Sequence, residues 1–317
     1  MYRLAPVICN QLIANQSRSD VRIGHFREIS VILLPDRTTD GHHAPVPVDA
    51  SLDLIAVRVR HRRARVVVEA PARVVRDLQA DLAPATTVEP VGSDASADVA
   101  ISLRPHRRGW VLSVDGREVE SASSDPTAPS WERLASEVHL ALATHAPRHV
   151  FVHAGAVAWR GAAIVAPGPS RAGKSTLVRA LLAHGAALLS DEYAIFDQSG
   201  MVVPYARPVH RRRPHGTQRI EPGSLGPVGI APHPLAVVVH TAYVPGARWS
   251  PESARSARVI VPLVANAVAA RTAPGRVFAH LTSAARQQPL LVVGARGDAD
   301  EAAAALLALA DETSGRG

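Results

Sequence analysis

The chain has 317 residues, 47% of them hydrophobic and 20% charged, with a formal net charge of +7. These values predict a globular protein of one large or two smaller domains, and no apolar run approaches the ~18 residues of a membrane span. The arginines are scattered and only 4% of residues are aromatic, which argues against a nucleic-acid surface built on base stacking. The single cysteine, Cys9, excludes an intrachain disulfide and is typical of a reducing compartment, so we expect a cytoplasmic protein with no membrane contact.

Residues 1–97 are predicted to form a separate strand-rich lobe with α+β character. Short apolar runs and period-two alternation predict three strands and then a helix, at 30–34, 52–59, 65–69 and 72–82. The polar stretch 85–98, rich in small residues, is the candidate linker. A second domain is therefore expected over residues 98–317.

This second domain opens with strand and helix signals that lead to a nucleotide-binding motif. Strands are predicted at 99–103 and 110–114, a helix from Ser130 to about Thr144, and a strand pair over 150–159. Gly168 to Ser175 then reads GPSRAGKS, which fits the phosphate-loop pattern GxxxxGK[ST]. An apolar run precedes it and a leucine-rich periodic stretch follows, so the local order is strand, loop and helix.

A phosphate loop points backbone NH groups and a helix N-terminus at a polyphosphate, and its lysine reaches the outer phosphates. Lys174 is the only lysine of the chain, and the other 34 of its 35 basic residues are arginines. The motif predicts a nucleoside triphosphate as ligand, with ATP as the first candidate and GTP or pyrophosphate left open, and Mg2+ on the hydroxyl of Ser175. The predicted nucleotide-binding residues are Gly168, Pro169, Ser170, Arg171, Ala172, Gly173, Lys174, Ser175 and Thr176.

Two acidic residues follow the next predicted strand. Asp191 and Glu192 lie about 17 residues beyond Lys174, which leaves room only for a crossover helix. The short separation predicts that this strand is parallel to the phosphate-loop strand and directly beside it. Carboxylates at that strand end would lie near Mg2+ and the reacting phosphate. Downstream, Arg207 and the run 210–213 either contact phosphates or are solvated, and the Gly/Pro-rich segment 214–234 is a candidate lid.

The stretch HAGAVAWRGAAIVAPGPSRAGKSTLVRALLAHGAALLSDE resembles the catalytic domain of HPr kinase/phosphorylase, bacterial serine kinases related to phosphoenolpyruvate carboxykinases. The resemblance covers residues 150–197 and depends on His153, the loop, a helix ending in His-Gly and the acidic pair. It implies an α/β fold with a P-loop kinase core of this type, preceded by the strand-rich lobe. It also allows a homo-oligomer, because the best-known members of the family form hexamers.

Carried over to this chain, the resemblance implies a catalytic role for Asp191, His153 and Lys174. Asp191 would be the general base for the acceptor hydroxyl, and Lys174 would neutralise the β and γ phosphates. His153 would lie near the γ phosphate or hydrogen-bond to Asp191. Ser175, Glu192 and Asp191 would hold Mg2+.

The expected function is ATP-dependent phosphorylation of a hydroxyl, with Ser or Thr of a peptide or small protein as the first candidate acceptor. A diverged group of HPr-kinase-like proteins, some of them beside peptide-modification systems, is the nearest match in character. Two alternatives stay open. One is a kinase of a small molecule such as a metabolite or antibiotic, and the other is a nucleotide-binding regulator without transfer activity.

Overall fold

The computed structural model describes residues 54–92, 95–106, 109–123, 131–213 and 216–314. Within these ranges the protein is a mixed α/β structure with two large sheets and a small hairpin. The predicted strand at 30–34 and the Ser130 cap lie outside the described residues. None of the described helices combines the length and apolar character needed to cross a membrane.

The first sheet has six strands in the order β3-β1-β2-β4-β5-β6. All neighbouring pairs are antiparallel except β2 and β4, which run parallel. The strands span Leu54–His61 (β1), Ala64–Pro71 (β2), Thr87–Pro90 (β3), Val99–His106 (β4), Gly109–Val114 (β5) and Arg117–Ser123 (β6).

Two helices cover one face of this sheet, α1 over Ala72–Asp81 and α2 over Trp131–His145. Both have an apolar stripe of the expected period, and buried residues such as Leu78 of α1 and Leu134 of α2 pack with Leu103 of the sheet. The predicted domain boundary after residue 97 falls inside this sheet, because β4 pairs with β2. The described residues on both sides of this boundary belong to one compact unit.

The second sheet has eight strands, seven in the order β11-β10-β7-β8-β14-β16-β15, with β9 also paired to β7. They span Val150–Trp159 (β7), Ala162–Pro167 (β8), Ala187–Ser190 (β9), Tyr193–Phe196 (β10), Val202–Val203 (β11), Leu235–Tyr243 (β14), Glu252–Arg255 (β15) and Leu290–Arg296 (β16). The hairpin between them in sequence consists of Val209–Arg213 (β12) and Gly216–Ile220 (β13).

Helices cover both faces of the second sheet. The helix of residues Lys174–Ala183 (α3) and the last helix, Ala299–Ser314 (α6), bury one face, where Leu181 and Leu306 belong to the same core. Ile260–Ala265 (α4) and Pro274–Ala285 (α5) bury the other, where Leu263 and Leu281 are fully enclosed. The sequence of residues 260–270 predicts a helix within that range, and the structure places it at Ile260–Ala265, whereas α5 was not predicted.

The order of strands in the centre of this sheet corrects one prediction. β8 and β9 run in the same direction, but they are not neighbours, because β7 lies between them and pairs antiparallel with both. Residues 150–159, predicted to be a strand pair, are this one ten-residue strand. It turns into β8 through Arg160 and Gly161, both with positive φ. The strand that carries His153 therefore separates the phosphate-loop strand from the acidic strand.

Candidate functional site

The GPSRAGKS segment forms the turn between β8 and α3. Its backbone reverses direction through Arg171 and Gly173, which have φ of 68° and 79°, and α3 begins at Lys174. The left-handed conformation at Gly173 is one that glycine adopts at little cost. A Cβ there would also lie 2.5 Å from Nη2 of Arg296. The sequence thus folds into the predicted strand, loop and helix.

Arg296, at the end of β16, supports this loop from the side of the sheet. The residue is 2% exposed, and its Nη2 donates a hydrogen bond of 2.9 Å to the carbonyl oxygen of Ala172. Burial lowers the pKa of the guanidinium. Sequence analysis did not identify Arg296, because it lies 124 residues beyond the loop and a strand-terminal arginine has no distinctive pattern.

Lys174 is held inside the loop by two carbonyl groups. Its Nζ donates hydrogen bonds of 2.8 Å to the oxygens of Gly168 and Pro169, and the residue is 9% exposed. Burial lowers the pKa of the amine to about 8, against the opposing effect of the Asp191 charge. Two of its three donors are therefore engaged by the loop itself, and the amine loses charge in the mildly alkaline range.

His153 approaches the loop from β7. Its Nδ1 lies 3.0 Å from the carbonyl oxygen of Gly168. Burial and then the charge of Lys174 lower its pKa to about 4, so the ring is neutral near pH 7. A carbonyl only accepts hydrogen bonds, so Nδ1 carries the proton and Nε2 is an acceptor. The hydrogen bond of Nδ1 thus goes to the loop backbone and leaves Nε2 as the ring's remaining polar atom.

A glycine two residues further along β7 lets this strand approach α3 closely. A Cβ on Gly155 would lie 2.5 Å from Cγ2 of Val178 and 3.8 Å from Cβ of Lys174. Since real carbon atoms do not approach so closely, the absence of a side chain at this position sets the distance between β7 and the first turn of α3. Gly155 therefore helps to place Lys174 beside His153.

Asp191 and Glu192 occupy a break between β9 and β10, both of which pair with β7. The hydroxyl oxygen of Ser190 accepts hydrogen bonds from the backbone NH groups of Glu192 (3.3 Å) and Tyr193 (3.0 Å). The carbonyl of Glu192 in turn accepts a 3.0 Å bond from the NH of Ala154. These bonds satisfy backbone NH and carbonyl groups that have no strand partner at the break between β9 and β10.

The carboxyl group of Asp191 has unused hydrogen-bonding capacity. Its Oδ1 is buried and has no hydrogen-bond partner in the described structure, and its side chain contacts the hydroxyl of Ser175. Burial raises the pKa of this carboxyl, against opposing contributions that begin with Ser175. A buried oxygen without a partner is costly and therefore points to a group that the site receives from outside the chain.

Glu192, the second residue of the acidic pair, has a different neighbour. Its carboxylate forms an ion pair with Arg207, and its side chain is 39% exposed. Arg207 also binds Asp81, with Nη1 2.8 Å from Oδ2. The structure therefore places Glu192 at the edge of the site on an arginine, whereas Asp191 lies beside Ser175.

These side chains line one cavity of about 590 Å³. Of the predicted residues it exposes Ser170, Arg171, Lys174, Ser175, His153, Asp191 and Glu192, while Gly168, Pro169, Ala172, Gly173 and Thr176 complete the loop and the start of α3. The opposite wall comes from the first sheet's helices and from the start of β12 with the two residues before it. Its residues are Asp81, Trp131, Glu132, Ala135, Ser136, His139, Arg207, Pro208, Val209 and His210.

In the opposite wall, Arg207 and His210 were named as possible phosphate contacts, but the residues of α1 and α2 were not predicted to belong to the site. Trp131 is partly buried against the core of the first sheet, and the centre of its ring lies 5.5 Å from that of His210. Asp81 and His139 are 1% and 2% exposed, and their Oδ2 and Nε2 are 3.3 Å apart. The available signal was an acidic residue at the end of an otherwise amphipathic helix, which alone does not indicate a site.

The candidate lid at 214–234 is not among the cavity-lining residues of the described structure. Backbone hydrogen bonds tie this segment to the second sheet, from Leu188 to Pro227 (2.7 Å) and between His233 and Val202 (2.8 and 2.9 Å). Residues 216–220 of this segment form β13, and residues 227–233 run beside β9 and β11. The wall opposite the phosphate loop is formed instead by the ends of α1 and α2 and by residues 207–210.

The site's donor set fits Mg2+ only as a partner of a phosphate ligand. Among the described residues, no three His, Cys, Asp or Glu side chains are grouped so that they could hold a metal ion by themselves. Ser175 and Asp191 nevertheless offer hard oxygen ligands side by side, one of them the unpartnered Oδ1. Mg2+ commonly takes one or two such protein ligands and completes its shell with phosphate oxygens and water.

The chain matches no protein-family model, no curated protein and no solved structure.

Proposed function

We propose that the protein is an ATP-dependent kinase that transfers the γ-phosphoryl group to a hydroxyl. The observation that supports this most strongly is the unpartnered, buried Oδ1 of Asp191, a residue that lines the same cavity as Lys174 and Ser175. A phosphate-binding loop by itself would suit many nucleotide-binding proteins. A carboxyl group with spare acceptor capacity and a raised pKa is what a general base requires.

In the proposed reaction, the acceptor oxygen attacks the γ phosphorus while its proton passes to Asp191. The new oxygen–phosphorus bond forms as the bond between the γ phosphorus and the β–γ bridging oxygen breaks, and ADP leaves with that electron pair. Lys174 would turn from the carbonyls of Gly168 and Pro169 to the phosphates. Mg2+, when bound with Ser175 and Asp191, would neutralise phosphate charge. Such a site works mainly by positioning and charge neutralisation.

The HPr-kinase-like arrangement is part of the same proposal, with a P-loop core in the second sheet. The support is that His153, the loop and the acidic pair converge although they lie on separate strands. His153, neutral and bonded through Nδ1 to Gly168, would offer Nε2 as an acceptor beside the reacting groups. In this scheme Glu192 reaches Mg2+ only after leaving Arg207.

The size and walls of the cavity also fit a small molecule as the phosphate acceptor. The acceptor half is bounded by α2 and by Pro208 to His210, and a cavity of about 590 Å³ is in the range of small-ligand sites. Such a space would accept a small molecule or one peptide side chain. We therefore keep a hydroxyl-bearing small molecule as the second candidate.

The test is phosphotransfer from labelled ATP with Mg2+, using the purified protein and a lysate of its host. Labelled species would be identified by mass spectrometry, and ATP affinity would be measured separately by calorimetry. Lys174→Ala should lose nucleotide affinity and transfer together, whereas Asp191→Asn should bind ATP and lose transfer. Arg160→Ala, at an exposed turn away from the cavity, is the matched control. Transfer that survives in Asp191→Asn would exclude the proposed base, and ATP binding without any transfer would favour the regulator alternative.

A further inference from the structure

Arg207 reaches the cavity from the connection between β11 and β12. The backbone NH of Tyr205 donates a 2.8 Å hydrogen bond to the carbonyl of Leu189 in β9, which fixes this connection beside the strand that ends at Asp191. The side chain of Arg207 is 14% exposed, and it lines the cavity together with Lys174 and Ser175. Its charge therefore lies among the groups assigned to phosphate transfer.

The two ends of the guanidinium meet carboxylates in different surroundings. Nη1 binds Oδ2 of Asp81, whose side chain is 2% exposed and also accepts a hydrogen bond from Nε2 of His210. Nη2 pairs with Glu192, whose side chain is 39% exposed. Breaking a buried ion pair is far more costly than breaking an exposed one. The Asp81 contact is thus the fixed one, and the Glu192 contact is exchangeable.

We infer that Arg207 is a further catalytic residue, whose Nη2 end leaves Glu192 and contacts the transferred phosphoryl group. The inference rests on the proposed kinase function. A γ-phosphate carries more charge than a carboxylate and accepts the planar guanidinium as readily, so it can displace Glu192. The displaced carboxylate then becomes available to Mg2+, which reconciles the ion pair with the metal-binding role expected of Glu192.

The charge at the transferred group explains why an arginine is useful at this position. During transfer, charge is spread over the three equatorial phosphoryl oxygens, and cationic side chains that contact them lower the barrier. Lys174 approaches from the loop, whereas Arg207 approaches from the β11–β12 connection. Asp81, His139 and His210 are then positioning residues, since they hold the Nη1 end and the carboxylate that binds it.

The experiment compares the affinities of ADP and of a non-hydrolysable ATP analogue, both with Mg2+, by calorimetry. In Arg207→Gln the analogue should bind about 10- to 100-fold more weakly, as expected for loss of one charged hydrogen bond, while ADP affinity stays within about twofold. Arg160→Gln, which changes a surface arginine of the same chain, should leave both affinities unchanged. Equal losses for the two ligands, or no loss for either, would overturn the inference.

A second variant keeps the test decisive if Arg207→Gln does not fold. Glu192→Gln removes only the exchangeable partner, and in EDTA any role of Glu192 with metal is absent. The ratio of the ADP Kd to the analogue Kd should then rise about two- to fivefold, which corresponds to the free energy of an exposed ion pair. An unchanged or reduced preference would contradict the exchange. A wild-type protein that binds neither nucleotide would instead overturn the proposed function itself.

Discussion

If the protein binds ATP as proposed, the pH dependence of that affinity tests the environment of Lys174. Its pKa is lowered to about 8 because the amine is buried within the loop. By the titration equation, the amine is charged in about nine tenths of molecules at pH 7 and about one tenth at pH 9. Phosphate groups favour the charged amine and raise its pKa on binding. Affinity is therefore full below pH 8 and is lost as the pH rises above it.

The expected magnitude is a tenfold increase in Kd for Mg2+-ATP between pH 7 and pH 9, or about 1.4 kcal/mol. The assay is calorimetry at fixed ionic strength in buffers of different ionisation enthalpy, which also counts the proton taken up near pH 8. Lys174→Arg is the matched control, because arginine stays charged over this range. Its affinity should be flat with pH, whatever its absolute value.

Two outcomes would refute this reasoning. A wild-type Kd that is the same at pH 7 and pH 9 would mean that Lys174 is not partly deprotonated in the free protein, or does not contact the phosphates. The same slope in Lys174→Arg would assign the titration to another group.

Three further predictions concern stability and its relation to the site. Gly155→Ala places a methyl group against Val178 and should destabilise the fold by about 1–3 kcal/mol in chemical denaturation, with partial recovery when Val178→Ala is added. Asp191→Asn should raise the free energy of unfolding at pH 7 by about 0.5–2 kcal/mol, because burial raises the pKa of the carboxyl and its charge opposes folding. That gain should disappear in acid, where the wild-type carboxyl is neutral. Asp81→Ala should cost about 3–5 kcal/mol, since the buried Nη1 end of Arg207 would lose its carboxylate partner. Burial alone would raise the pKa of Asp81, but hydrogen bonding and nearby positive charge lower it overall. Its stabilisation is therefore present above the ordinary value of 3.8 and lost as the pH falls, so wild type and variant should converge in acid.

The loop side of the site could be predicted because its geometry is local. An apolar run followed by eight motif residues predicts a strand, a glycine-dependent turn and a helix start, and the structure confirms that order. The placement of Asp191 near Ser175 also agrees with the short sequence separation, but the reason given for it was wrong. The predicted adjacency of β8 and β9 ignored β7, which precedes both in sequence and lies between them. Apolar periodicity identifies a buried strand without giving its position in a sheet.

Arg207 and His210 of the opposite wall were named as possible phosphate contacts, but their partners could not be predicted because they lie in distant parts of the chain. Arg207 meets Asp81 across 126 residues, and each belongs to a segment whose local pattern is ordinary. A carboxylate in an amphipathic helix can be recognised as a site residue only when its partner is known. The same applies to Arg296, whose contact with the loop is created by the parallel pairing of β14 and β16.

The charged groups of the site differ in whether a ligand could replace their present contacts. Lys174 donates to two loop carbonyls and Arg207 donates to the partly exposed Glu192, and both of these contacts can be replaced by phosphate oxygens. Asp191 keeps one buried oxygen without a partner. Asp81, by contrast, is fully enclosed and already has polar contacts with three side chains, those of Arg207, His210 and His139. A ligand can recruit only groups whose present partners it can replace, so Lys174, Arg207 and Asp191 are the residues on which nucleotide chemistry at this site would depend.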